Sequence, residues 1–572
     1  MGRFNLLREA WIPVITENGE NKEYSLLDVF RQANRIKSLS GDMPTQSFAI
    51  LRILEAVLQT VFTRYDGEGK VYEDLELNDL HQPSTEERDE ILEDGMYSQD
   101  LLECWKNLWG KKEFPAILYE YLEDWEEHFY LFDEEFPFFQ VREEDVASDK
   151  LNKAKAGSIS GKNINRLISE SGNKTALFSP RHESMNNKEL LNEGELTRWL
   201  ITFQSYTGLS DKTIFGKDKY KASKGWLFDI GGLYFQGSNL YDTLLLNLIL
   251  QHPEREPAIL ERPCWEYSPQ EVVRRSFSAD RMNNLSELYT AWSRAIYIDP
   301  ETKMTDPFSF DVVKLPDIDH VNQFLEPMTL WRFNQSGENK GQFTPRKHQV
   351  NRSLWRSFGL LVEDYFDEKE ENHQPGIMQW YRTIQEEVGD RDLYLVAISM
   401  ESDGNATSWV PVDEIYDYLL INSQVLADMR ESGWMGRIYA TVEKTKKVIS
   451  TVYGLYIRDV KEIRNISSAD YVSQKVEELY YLVDQPFRDW LGGIRKDDDK
   501  EETISKWYSE LKRLVKREAE DLAAHSGERD YRGIMVKDRM KNIATAFNSF
   551  MYFLNEALPE KEEKREPTKE EG

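Results

Sequence analysis

The chain has 572 residues, 40% of them hydrophobic, and a formal net charge of −30, which is too long for one core and too apolar to stay unfolded. So acidic a balance excludes a protein that coats nucleic acid over its whole surface, and contact with a polyanion has to be local. Two cysteines without a CxxC spacing fit a reducing compartment and leave no thiolate zinc site, and no apolar run reaches the roughly 18 residues a membrane span needs.

The start Met1-Gly2-Arg3-Phe4 lacks the apolar core of a signal peptide, so a cytoplasmic protein is expected. Trp11-Ile12-Pro13-Val14-Ile15 reads as a strand with its proline at an edge or bulge. Thr45 is the expected cap of a helix in which Phe48, Leu51, Leu54, Val57, Leu58 and Val61 recur at helical spacing. Helices between Glu86 and Tyr130 follow, and the block Phe136-Pro137-Phe138-Phe139 reads as core.

From Lys150 to Gly225 the charge reverses, with fourteen basic against seven acidic residues, a balance of +7 that leaves −37 elsewhere. Two clusters stand out in it. Lys153, Lys155, Lys162, Asn163, Asn165 and Arg166 form a polar, glycine-bearing loop, and Lys212, Lys217, Lys219, Lys221 and Lys224 are interleaved with Phe215, Tyr220 and Trp226. Cations for phosphate, glycines for close backbone approach and planar groups for stacking are what a polyanion-binding loop needs. A solvated lysine-rich surface is the competing reading, and Trp226 is expected to return to the core.

Leu227–Phe235 reads as strand, Tyr241–Leu250 as a buried helix, and Leu285–Ile298 as helix then strand. Arg391–Met400 is a mostly buried strand ending in the turn Asp403-Gly404-Asn405-Ala406, which is presented from a rigid base. Beyond about residue 420 strand signals vanish and four amphipathic faces follow. Met435, Ile438, Val442, Ile449, Val452 and Tyr456 make the first; Val472, Val476, Leu479, Val483 and Phe487 the second. Ile504, Trp507, Leu511, Leu514 and Leu522 make the third, and Met540, Ile543, Phe547, Phe550, Met551 and Leu554 the fourth. The expected fold is α+β: a mixed α/β N-terminal domain over 1–410, an antiparallel four-helix bundle over 411–558 and a disordered charged tail over 559–572.

Catalytic patterns are absent from the sequence. The eight histidines form no HExxH or HxH, and neither GxxxxGK[ST] nor GxSxG occurs. The acidic clusters Asp133-Glu134-Glu135 and Glu143-Glu144-Asp145 read as solvated surface. No enzyme, no metal and no cofactor are expected.

The order and spacing of Asn5-Leu6-Leu7 with Trp11-Ile12-Pro13-Val14, the block from Phe129 to Gln140, Pro263-Cys264-Trp265-Glu266, Arg352 to Arg356 and the terminal helices resemble the large subunit, CasA type, of the type I-E CRISPR Cascade complex. The resemblance spans nearly the whole chain. It implies a non-catalytic subunit that recognises the protospacer-adjacent motif in double-stranded DNA, wedges the strands apart for CRISPR RNA to pair, and docks a helicase-nuclease. Further implied partners are the backbone, small and guide-end-binding subunits. By position, the family's first flexible loop falls on Lys153 to Asn165, its motif-reading loop on Phe215 to Gly225, and its wedge on Gly404-Asn405-Ala406. The implied DNA-binding residues are therefore Lys153, Lys155, Lys162, Asn163, Gly216, Lys217, Lys219, Lys221, Gly404, Asn405 and Ala406. This chain departs from the family in a motif-reading loop rich in lysine and in a wedge without its glutamine. The lysine of the family's minor-groove hairpin falls near Tyr267, with Arg274 or Arg275 able to take its place. An assembly scaffold that binds RNA and partner subunits without reading DNA is the alternative.

Overall fold

The computed structural model describes every residue except 1, 74, 84–95, 167, 169–189, 209–212, 222, 256–260, 279–280, 367–370, 405–409, 431 and 560–572, and it leaves out the side chains of 165–166 and 363–366. The chain divides into two compact units, one formed by Met1–Leu354, Asp367–Gly389 and Leu393–Tyr418, the other by Trp355–Phe366, Asp390–Asp392 and Leu419–Gly572.

The first unit is built around the helix Pro44–Phe62, buried from Thr45 to Phe62 apart from Ser47. A helix apolar on all sides has to be covered on all sides, and Glu193–Tyr206, Leu240–Asn247, Ile117–Asp124 and Leu285–Tyr289 pack against it. Its start differs from expectation. Pro44 takes the first helical position, where its missing N–H costs nothing, and Met43 offers no side-chain cap. Thr45 is capped rather than capping: its N and Oγ1 donate to Glu414 Oε2 at 3.1 and 2.9 Å, which sets a carboxylate at the positive end of the helix.

Two arginines of this helix and its end enter the core because each meets a carboxylate fork to fork. Arg52 donates to both oxygens of Glu326 at 2.8 Å, and Arg64 to Glu266 at 2.8 and 3.0 Å. Glu55 on the same helix is buried with neither oxygen hydrogen-bonded, and burial pushes its carboxyl well above the usual range. Cys104 and Cys264 are buried thiols, each raised by burial to about 12.

Small sheets surround this helical centre. Ile12–Thr16 lies between Asn21–Tyr24 and Ile36–Leu39. Its proline is thus in the middle strand, at the end of the ladder with the third strand: Ser40 N donates to the carbonyl of Pro13 at 2.8 Å, and the missing N–H falls where that pairing stops. Asp392–Ser402 is flanked by Gly232–Gln236 and Pro411–Asn422. Ser309–Lys314 is flanked by Gly157–Ser160 and Arg294–Tyr297, antiparallel to both.

The second unit is mainly helical. Trp434–Lys447 continues through a π-helical stretch, Val448–Tyr453, into Gly454–Ile463, followed by Tyr471–Gly493, Lys500–Ala524 and Ile543–Ala557. Trp507 Nε1 donates to Thr445 Oγ1 at 2.9 Å in a core shared with Phe487 and Leu511. Strand does occur beyond residue 420, in a hairpin of Ile534–Val536 and Arg539–Lys541 turned at Lys537 and Asp538, both at positive φ. Met540, expected on the fourth helical face, lies in this hairpin and is 52% exposed. The expected tail lies almost wholly outside the described residues. Among those residues no helix is long and apolar enough to cross a membrane.

Candidate nucleic-acid interface

The two basic clusters meet on a single strand. Leu151 and Phe215 form an antiparallel bridge; Asn152 N donates to the carbonyl of Ile214, and Ile214 N to Asn152 Oδ1, each at 3.0 Å. Gly216 N donates to the carbonyl of Lys150 at 2.8 Å. Beneath this zipper, Lys314 N donates to the carbonyl of Thr213, while the same strand carries Gly157–Ser160. Residues 309–314 are therefore the common floor of both loops.

The second loop has a tight neck. Gly225 N donates to the carbonyl of Thr207 at 2.9 Å, and a Cβ on Gly225 would lie 2.2 Å from the carbonyl oxygen of Ser205, so only glycine fits. Arg294, fully buried, donates to the carbonyls of Ser223 and Gly208 at 2.6 and 2.7 Å, one on each side of the loop. Above the neck, Gly216 turns the backbone with φ +64°, and Lys217, Asp218 and Lys219 follow exposed. Lys153 and Lys155 are exposed on the first loop, and Lys162 and Asn163 are half-buried beyond it.

The aromatics of the loop hold it in place. Tyr220 Oη accepts from Phe215 N at 3.0 Å and donates to the carbonyl of Lys314 at 2.5 Å. The rings of Phe215 and Tyr220 both meet Phe277 edge-on, 6.2 and 5.4 Å between centroids. Phe277 is 49% exposed and extends this surface. Trp226 returns to the core as expected: Nε1 donates to Glu326 Oε2 at 2.6 Å and the ring stacks on His320 at 4.0 Å.

Cations counted alike in the sequence fall into different roles. Lys221 is 79% exposed but pairs with Asp317 at 2.6 Å, whose hydrogen bond raises the lysine pKa. Arg274 is exposed and paired with Glu271, a hydrogen bond that raises its pKa. Arg275 is committed to Glu287 at 2.8 and 3.0 Å and stacks over Tyr267, where burial opposes its charge and Glu287 restores it. Tyr267 follows the turn Cys264–Glu266 rather than standing on a hairpin. An exposed hairpin does exist at Trp331–Phe333 and Phe343–Pro345, with Arg332 and Lys340 exposed on it.

The turn after Asp392–Ser402 is closed by Asp403, whose N donates to the carbonyl of Val410 at 3.1 Å and whose Oδ1 accepts from Val410 N at 3.3 Å. Gly404 is exposed with φ +66°. Asn405 and Ala406, like Lys212, lie outside the described residues. Sequence reasoning missed Arg294, Lys314, Phe277 and the 331–345 hairpin. Only the hairpin had a local signal, the glycines 337 and 341, both at positive φ. Among the described residues no three His, Cys, Asp or Glu side chains gather as a metal site.

A profile of the family described as CRISPR-associated protein Cse1 matches residues 5–517. The CRISPR-associated protein CasA/Cse1 of Thermus thermophilus is 24% identical over 369 residues, 63% of this chain and 60% of that relative, so the match spans less than two thirds of the relative's length. The crystal structure of Thermobifida fusca Cse1 superposes with a TM-score of 0.73 at 25% identity, covering 97% of this chain and 98% of that one. A chain of a structure titled CRISPR RNA-guided surveillance complex superposes with a TM-score of 0.62 at 12% identity, covering 97% of this chain and 100% of that one.

Proposed function

Because the chain belongs to the Cse1 family of CRISPR-associated proteins, we propose that it is the large subunit of a Cascade complex, reading the protospacer-adjacent motif in duplex DNA and starting strand separation. The observation that carries this reading is the meeting of two basic loops on the strand Ser309–Lys314, beside the exposed ring of Phe277. Lys153, Lys155, Lys217 and Lys219 hold phosphates, a contact without sequence preference; the turn at Gly404, Asn405 and Ala406 reads the motif and wedges the strands. Lys162, Asn163, Lys221 and Arg274 border this surface, and Arg275 supports it through Glu287. The division of labour is that of RNA-guided recognition, in which protein reads a short motif and pairing to CRISPR RNA reads the rest.

In this reading the subunit acts in the cytoplasm without catalysis. The helices of the second unit form a four-helix bundle that meets the backbone and small subunits, while the protein recruits a helicase-nuclease once the R-loop has formed. Asn405→Ala in the assembled complex is expected to reduce discrimination between motif and non-motif duplexes about tenfold, since a good base contact contributes roughly 1–3 kcal/mol; unchanged discrimination by gel shift overturns the wedge assignment. The scaffold alternative draws on the side chains Tyr481, Tyr552 and Phe553, which the second unit leaves 82%, 66% and 46% exposed. A complex assembled without this subunit separates the two, because a scaffold is dispensable for discrimination.

A further inference from the structure

Three segments of the first unit are tied together by one ion pair, Asp229 with Lys347. Asp229 closes the turn Trp226–Asp229 that follows the basic loop; it is bonded by Lys224 Nζ at Oδ2, and Lys347 Nζ lies 3.7 Å from Oδ1. Lys347 stands two residues beyond the strand Phe343–Pro345 of the exposed hairpin, and its ammonium donates at 2.9 Å to the carbonyl of Met400, in the strand that runs into the Gly404 turn. The same ammonium sits 4.2 Å from the centroid of the Phe228 ring.

The backbones around this pair are equally close. His348 N donates to Ser399 Oγ at 3.0 Å, Ser399 Oγ donates to the carbonyl of Ile230 at 3.2 Å, and a Cβ on Gly231 would lie 2.1 Å from the carbonyl oxygen of Arg346. Burial works against the charge of Asp229, yet Lys224, Lys347 and His320 outweigh it and hold the carboxyl below its usual range. Burial also lowers Lys347, against the pull of Asp229. A lysine side chain only 23% exposed that pairs with a carboxylate and donates to a carbonyl, each from another segment, is fixed in place rather than displayed to a ligand.

We propose that Lys347 and Asp229 are a positioning pair that holds the basic loop, the 331–345 hairpin and the end of the strand Asp392–Ser402 in the arrangement that opens a duplex. This rests on the DNA reading above, and neither residue touches DNA. The pair governs opening rather than retention, because phosphate contacts tolerate small displacements of the loops and a wedge does not.

The test uses the assembled complex with Lys347→Met, Asp229→Asn, the double variant and Lys347→Arg. Duplex retention is read by gel shift, opening by the fluorescence of 2-aminopurine beside the motif, and folding by thermal melting. Lys347→Met is expected to slow opening about tenfold while affinity stays within about twofold, Asp229→Asn, which also releases Lys224, to act in the same direction, and the double variant to be no slower than the slower of the two single variants. Lys347→Arg, which can still reach both partners, recovers part of the rate. Unchanged opening in Lys347→Met, opening that falls in proportion to affinity or melting temperature, or additive single effects overturn the proposal. Failure of the DNA reading is distinguishable, since the unmodified complex itself then neither discriminates the motif nor opens the duplex.

Discussion

The neck and the tip of the basic loop are held by opposite uses of the same charge. At the neck, Arg294 is fully buried and spends its guanidinium on the carbonyls of Gly208, Ser223 and Ser293. At the tip, Lys217 and Lys219 are exposed on backbone that Gly216 has turned. A rigid fork suits fixed backbone acceptors, whereas a compact, hydrated ammonium on a flexible stem suits phosphates that arrive from solvent. The difference teaches that a basic segment is not one feature: one cation builds the loop and the others are displayed by it.

This contrast breaks most sharply at Arg294. Arg294→Met strands three buried carbonyls, and unfolding in denaturant is expected to show a loss of about 3 kcal/mol, with duplex binding falling as the neck opens. An unchanged midpoint removes the neck from the account. Lys217→Ala with Lys219→Ala is expected to leave the melting temperature in place, weaken binding to all duplexes and lower the slope of log affinity against log salt by roughly 2; a stability loss instead assigns these lysines to the neck's role.

An effect that shows only in acid sharpens the comparison from the uncharged side. His348 is buried, with Nε2 donating to the carbonyl of Gly232 at 2.9 Å, and burial lowers its pKa to about 4. An unfolded histidine titrates near about 6.5, so between these values the unfolded chain binds the proton and the folded one does not. Stability from this residue is complete above about 6.5 and is lost as pH falls toward 4. The pH dependence of unfolding is expected to flatten over that window in His348→Gln, and an unchanged profile assigns the acid loss to other groups.

Much of the fold was legible because its signals are local. The helix Pro44–Phe62 follows from the spacing of Phe48, Leu51, Leu54 and Leu58, and the strand Asp392–Ser402 from its apolar run. The cap of that helix was not legible, because Glu414 is 369 residues away from Thr45 in the chain. The hairpin 534–541 was hidden by Met540, whose spacing from Ile543 and Phe547 mimics a helical face. The site divides in the same way. Charge composition marked the basic loops, but the strand Ser309–Lys314 beneath them and Phe277 beside them are long-range partners that no spacing reveals. The resemblance offered Arg275 as a DNA contact by its position in the chain, which records a charge and not the carboxylate of Glu287 that occupies it.

The two cysteines have a practical consequence. Thiols as buried as Cys104 and Cys264, with pKa values raised to about 12, hold almost no thiolate at neutral pH and react slowly with alkylating dyes. A cysteine introduced at exposed Asp218 would therefore be labelled alone, on the otherwise unmodified protein. The loop between Lys217 and Lys219 thus accepts a fluorescent reporter without any prior removal of native thiols, and under the proposed function its signal would follow duplex arrival.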